Sequence, residues 1–174
     1  MRRSVWAIAS CLVLTVPAAG QAVPDWAAHA MQEQVGTWVA SNTDYMSEAE
    51  TDDAYGQEWT WGVGRHSLVG RLYGLRGGEE TGHYWDFRMY WDPQERALKL
   101  VQYGSSGVFG IGSFTRVTEV ESEVVQWFTR PDGSGWRGGH RTEHASDRHV
   151  GSSYTISDDG AWTLNRTYTW ERVR

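Results

Sequence analysis

The chain has 174 residues, a formal charge of −6 and an aromatic content of 13%. That length fits one domain. With Lys99 as its single lysine and no basic run, it argues against a nucleic-acid partner.

The N-terminus reads as a leader. Met1-Arg2-Arg3 is basic, Val5 to Val16 is mostly apolar, and Pro17 to Ala22 supplies small residues. That order predicts a secretory signal peptide over residues 1–22, cleaved after Ala22. The apolar run is shorter than the roughly 20 residues of a permanent span, and nothing later is long and apolar enough to replace it. An exported soluble protein, periplasmic or secreted, is therefore expected. Ile8-Ala9-Ser10-Cys11 offers a lipobox as the competing reading. If Cys11 leaves with the leader, residues 23–174 hold no cysteine, which excludes disulfides and thiolate chemistry.

Val23 to Gln34 predicts a short helix, with Asp25 as its cap after Pro24. Beyond Gly36, short runs rich in Val, Tyr, Trp, Phe and Thr alternate with Gly, Asp, Asn and Ser. Strands are predicted near 36–43, 54–61, 65–74, 82–91, 97–103, 108–117, 122–129, 135–144, 148–157 and 161–173. Gly77-Gly78, Asp92-Pro93, Pro131-Asp132-Gly133 and Asp158-Asp159-Gly160 mark the turns. The acidic segment 43–53 is either a solvated connection or a lid. About ten short strands in meander order predict a closed antiparallel up-and-down barrel, because closure removes exposed edges. A sandwich is the alternative.

Alternation assigns faces. Trp59 and Trp61 share one. His83, Trp85, Phe87, Met89 and Trp91 share another, predicted inward, with Tyr84, Asp86, Arg88 and Tyr90 outward. Val125 and Trp127 form a further pair. In the last strand Trp162, Leu164, Tyr168 and Trp170 share a face with Arg166, the residue a plain core would not contain. A guanidinium stays charged, so when enclosed it needs a carboxylate from the chain or from a ligand. The tryptophans serve either as core or as cavity walls.

Three other patterns carry less. Gly107 to Gly112 only superficially resembles a phosphate loop, since strand-like Phe114 to Val117 follows where a helix is needed; the glycines are read as a barrel-corner feature. His140 and His144 on one strand face lie ~13 Å apart, too far for a single ion. No nucleophile elbow is present, and the pairings Glu58 with His66 and Asp86 with His83 have no spacing signature.

Val35-Gly36-Thr37-Trp38 resembles the Gly-x-Trp that opens the barrels of lipocalins and other calycins, where the Trp plugs the closed end. Together with the Gly70 strand, Tyr90-Trp91-Asp92-Pro93, Gly107, Gly110 and Gly112, and the closing Tyr168 to Val173, region 35–173 is similar to an uncharacterised group of exported calycin-like proteins, the DUF1579-type family. Arg166-Thr167-Tyr168 resembles the Arg-x-Tyr with which fatty-acid-binding proteins hold a ligand carboxylate. The likeness implies a lipocalin or fatty-acid-binding-protein type of barrel. A haem-binding relative among barrel proteins adds a single-histidine ligand, with His66, His83, His140, His144 and His149 as candidates.

The expected protein is thus one all-β domain over residues 23–174, binding a small apolar or amphipathic ligand without cofactor or metal. Arg166 and Tyr168 are expected to hold its head group, and Trp59, Trp61, Trp85, Phe87, Trp127 and Trp170 to contact its body. A barrel enzyme using a His/acid pair and a structural module with a filled core are the competing classes.

Overall fold

The structure, a computed structural model, describes residues 23–173. The expected signal peptide over residues 1–22, with Cys11, lies outside the described residues. One helix, α1 (Asp25–Gln34), precedes ten strands: β1 (Gly36–Ser41), β2 (Ala54–Trp61), β3 (Ser67–Arg76), β4 (Glu79–Asp92), β5 (Ala97–Gly104), β6 (Phe109–Arg116), β7 (Glu121–Thr129), β8 (Gly135–His144), β9 (Arg148–Ile156) and β10 (Trp162–Arg172). Each strand is antiparallel to its sequence neighbours, and β1 pairs with β10 to close a barrel. All ten expected strands form. Pro24 rather than Asp25 caps the helix, accepting the Ala27 and Ala28 N–H groups; Asp25 is the first helical residue, where its charge meets the positive end of the helix dipole.

One end of the barrel is filled. Ala27, Ala30 and Met31 of α1 are wholly buried beside Trp38, Leu68, Met89, Leu98, Phe114 and Val124. Trp38 is 1% exposed and donates its indole N–H to the Gln34 carbonyl at 2.9 Å. Its ring lies between the His149 imidazole, 3.9 Å away, and the Arg172 guanidinium at 4.0 Å, a stacked and a cation–π contact. Arg172 in turn donates to the carbonyls of Glu33 and Val35, satisfying groups the helix leaves open at its C-terminus.

Glycines make room for rings. Gly70 lies opposite Trp59 on β2 and Phe87 on β4, and these two rings stack above it at 5.1 Å. A Cβ on Gly70 would come within 2.5 Å of the Trp59 ring. Gly110 and Gly138 flank Phe128 in the same way, and Phe128 stacks on Trp136 at 5.0 Å. The stretch around Gly107 to Gly112 runs from a turn into β6, so its glycines serve the sheet.

Two bulges change the faces that alternation predicts. The β3–β4 register runs from Leu72↔Trp85 to Tyr73↔His83, leaving Tyr84 as the extra residue. Tyr84 turns into the barrel mouth and His83 faces out. In β10 the register shifts between Leu164↔Tyr154 and Arg166↔Ser153, with Asn165 extra. The five large residues of β10 therefore do not share one face. Arg166, Tyr168 and Trp170 point inward, whereas Leu164 is 56% exposed. Trp162 covers Gly139 on the outer wall under the Arg141 guanidinium, 4.3 Å from its ring.

Gly112 offers a direct check. A Cβ there would overlap the Val125 carbonyl and lie 2.6 Å from the Gln126 Cα, both backbone groups of the paired strand. Gly112→Ala is expected to lower stability in urea unfolding by about 1–3 kcal/mol. Gly82→Ala, whose Cβ would meet only the Tyr84 ring at 3.5 Å, should stay within about 0.5 kcal/mol of the parent.

Candidate functional site

Above the filled end the barrel encloses a cavity of about 840 Å³. Ten strands give a wider lumen than the eight that side chains alone can fill. Its walls carry the Trp59–Phe87 stack and Trp85, which lies against Gly104 and edge-on to Phe128. Trp136 and Trp170 complete the aromatic lining. Arg166, Tyr168, Trp170, Trp59, Trp85 and Phe87 all reach this cavity.

Trp61 and Trp127 do not. Trp61 shares the inward face of β2 but lies one step past Trp59, at the filled end, where Arg65 stacks over it at 4.8 Å. Trp127 is 51% exposed on the outer wall, because Val124 and Phe128 occupy the inward positions and β7 stays regular between Val124 and Phe128. It pairs across the sheet with Ile111 and Arg137.

The rim is built by segment 43–53, most of which faces solvent while Tyr45, Glu50 and Asp52 turn toward the barrel. Glu50 accepts two hydrogen bonds from Arg166, Nη1 to Oε1 at 2.5 Å and Nη2 to Oε2 at 2.7 Å. Tyr55 donates its hydroxyl to Glu50 at 2.6 Å, and Asn42 donates its amide at 3.1 Å. Asn42 is wholly buried; it also donates to the Asp52 carbonyl and accepts from the Tyr168 hydroxyl at 2.8 Å. Asp52, 3% exposed, accepts from Tyr84, Thr81 and Arg76. Tyr45 lies beneath the Arg166 guanidinium and exchanges hydrogen bonds with the Thr167 backbone. The partner Arg166 requires is therefore Glu50. Arg166's hydrogen bonds hold the Glu50 carboxyl down to about 2, while burial and the bond to Glu50 push the Tyr55 hydroxyl up.

Three histidines line the interior. His144 Nε2 and the Ser122 hydroxyl are 2.7 Å apart, and the His144 and His149 rings meet edge to face at 4.7 Å. His140 faces inward from the middle of β8, opposite Val124 and Ser153. Burial lowers His140 and His144 to about 4, and burial with the nearby His144, Arg172 and Arg116 lowers His149 to about 3. All three are neutral at pH 7. His83 lies 3.0 Å from Asp86, but this pair sits outside on the barrel wall, and Glu58 is paired with Arg71 rather than with His66. Among the described residues, no carboxylate forms an ion pair with a cavity histidine.

Sequence reasoning did not single out Asn42, Glu50, Asp52 or Tyr84. The available signal was charge: one enclosed arginine and one acidic loop in the same small domain. Tyr84 was hidden by the bulge, which no local pattern announces.

No family model matches the chain, and no curated protein matches it in sequence. Among solved structures, the crystal structure of Rv2717c from M. tuberculosis is similar in fold, with a TM-score of 0.55 and 16% identity over 85% of this chain and 98% of that one. At that identity the likeness speaks for the fold alone.

The buried histidines set an acid limit. Their folded values lie below the ordinary 6.5, so the unfolded chain takes up protons first as pH falls. Stability is expected to hold above pH 6.5 and decline between pH 6.5 and about 3, as each buried histidine must take up a proton. Glu50 adds a second loss between pH 4.5 and about 2. Urea unfolding across this range should show the first decline reduced by about a third in His140→Leu, and the second reduced in Arg166→Ala.

Proposed function

We propose that this chain is an exported, non-enzymatic binding protein that holds one small apolar or amphipathic molecule in the barrel. The observation that carries the reading is the 840 Å³ aromatic-walled cavity behind a rim of hydrogen-bonded polar groups. Pockets of roughly 300–1,000 Å³, mostly apolar with a few placed polar groups, are the usual form of small-ligand sites. Export rests on the leader sequence 1–22. Trp59, Trp85, Phe87 and Trp170 contact the body of the ligand, while Arg166 and Tyr168 stand at the rim. Arg166 already holds Glu50 through two bonds, so it takes an acidic head group only by exchange with that carboxylate.

A catalytic reading finds its best support in the Ser122–His144 contact. It is weaker, because the other ring nitrogen of His144 has no hydrogen-bond partner to orient it, whereas a nucleophile's base is normally held by a third group.

The test is occupancy. Native mass spectrometry of protein purified from its own host should show a retained small molecule. The neutral dye N-phenyl-1-naphthylamine should brighten on binding and compete with it. Ser153→Phe, which projects a ring into the cavity from β9, should weaken dye binding at least tenfold and leave the urea midpoint near that of the parent. A barrel that carries no adduct and leaves the dye dark would defeat the proposal.

A further inference from the structure

The interior holds polar atoms that the fold itself does not satisfy. The Trp59 indole N–H and the Nδ1 atoms of His140 and His144 are buried within residues that line the cavity and have no hydrogen-bond partner among the described residues. Leaving such groups unpaired is costly, and native interiors rarely do so without a functional reason. His144 is already engaged by Ser122 through Nε2. His140 has no such tie, and it stands midway along β8 with Ser153 opposite and Thr142 two residues on, all facing the same space. Burial keeps its ring neutral at pH 7, so it offers one N–H donor and one bare nitrogen acceptor.

Charge at the cavity surface narrows the ligand further. Four charged side chains line it: Glu50, Asp52, Arg76 and Arg166. They form two closed pairs, Arg166 with Glu50 and Arg76 with Asp52 at 3.4 Å. Among the described residues, no lining cation is left over for a carboxylate or phosphate, and no lining anion for an amine. Burying an unpaired charge in such a space is strongly disfavoured.

We infer that the cavity selects a neutral ligand and seats a hydroxyl group of that ligand against His140, with Ser153 and Thr142 beside it. This rests on the binding reading above and deepens it. A hydroxyl both donates and accepts, so it matches either nitrogen of a neutral imidazole. A pure hydrocarbon matches neither, and a carboxylate accepts only and lacks a counter-charge. The polar end of the ligand therefore lies deep in the barrel beside His140, not at the Arg166 rim where the Arg-x-Tyr likeness places it.

Three probes of one shape separate the cases by isothermal titration calorimetry at pH 7: naphthalene, 2-naphthol and 2-naphthoate. Wild-type protein should bind 2-naphthol about tenfold more tightly than naphthalene, the scale of one net hydrogen bond, and 2-naphthoate more weakly than both. His140→Leu should erase the preference for naphthol over naphthalene. His140→Gln, which keeps a donor and an acceptor, should restore part of it. Equal binding of naphthalene and naphthol in the wild type would overturn the inference while leaving the cavity a binding site. Tightest binding of 2-naphthoate, lost in Arg166→Ala, would overturn it in favour of the rim. A haemin Soret shift abolished by His140→Leu would also overturn it, since the imidazole would then be a metal ligand. Failure of all three probes to bind the wild type would instead count against the cavity as a binding site.

Discussion

Three residue pairs close this barrel. Trp38↔Arg172, Val39↔Glu171 and Ala40↔Trp170 join the first strand to the last, and without that seam the sheet would have two open edges and no interior. The same seam assembles the plug. Trp38 and Arg172 are direct partners across it, and the stack of His149, Trp38 and Arg172 follows from β9, β1 and β10 being brought together there. Closure thus fixes both what fills one end and what stays empty beyond it.

The chain balances its interior by subtraction as much as by addition. Gly70, Gly110 and Gly138 remove side chains where neighbouring strands present Trp59, Phe87 and Phe128, so the rings lie flat against the wall instead of meeting at the axis. Flat rings with glycine beneath them give the cavity apolar walls without consuming its volume. At the rim the opposite solution operates. Tyr45, Tyr55, Tyr84 and Tyr168 surround two carboxylate–guanidinium pairs, and each hydroxyl has a named partner. These rim hydroxyls are paired, whereas the buried Trp59 indole N–H and the Nδ1 atoms of His140 and His144 are not.

Much of this was legible in the sequence, for reasons that can be stated. All ten strands were visible because period-two alternation is interrupted by explicit turn residues, and meander order implied closure. The cation at the barrel mouth was visible as well, since Arg166 breaks an otherwise apolar row. What stayed hidden was the register. A single extra residue at Asn165 moved Trp162 and Leu164 outside, and another at Tyr84 exchanged that ring with His83. A bulge is a property of two strands together, so neither strand's sequence discloses it. Trp127 was misplaced for a related reason: alternation says that Val125 and Trp127 share a face, and only the neighbouring strands say which face that is. Glu50 lies more than a hundred residues from Arg166, and no local pattern links them.

The tie between Glu50 and Arg166 also has a kinetic meaning. Segment 43–53, which leaves β1, is tied at the mouth to the adjacent strand β10 by one bidentate ion pair reinforced by a buried asparagine. A strap of that kind obstructs arrival and departure alike. It would lengthen the dwell time of the proposed ligand without changing the equilibrium between full and empty barrels. Ionic strength, which loosens a partly exposed pair, would then act as a throttle on turnover of the contents and leave their amount untouched.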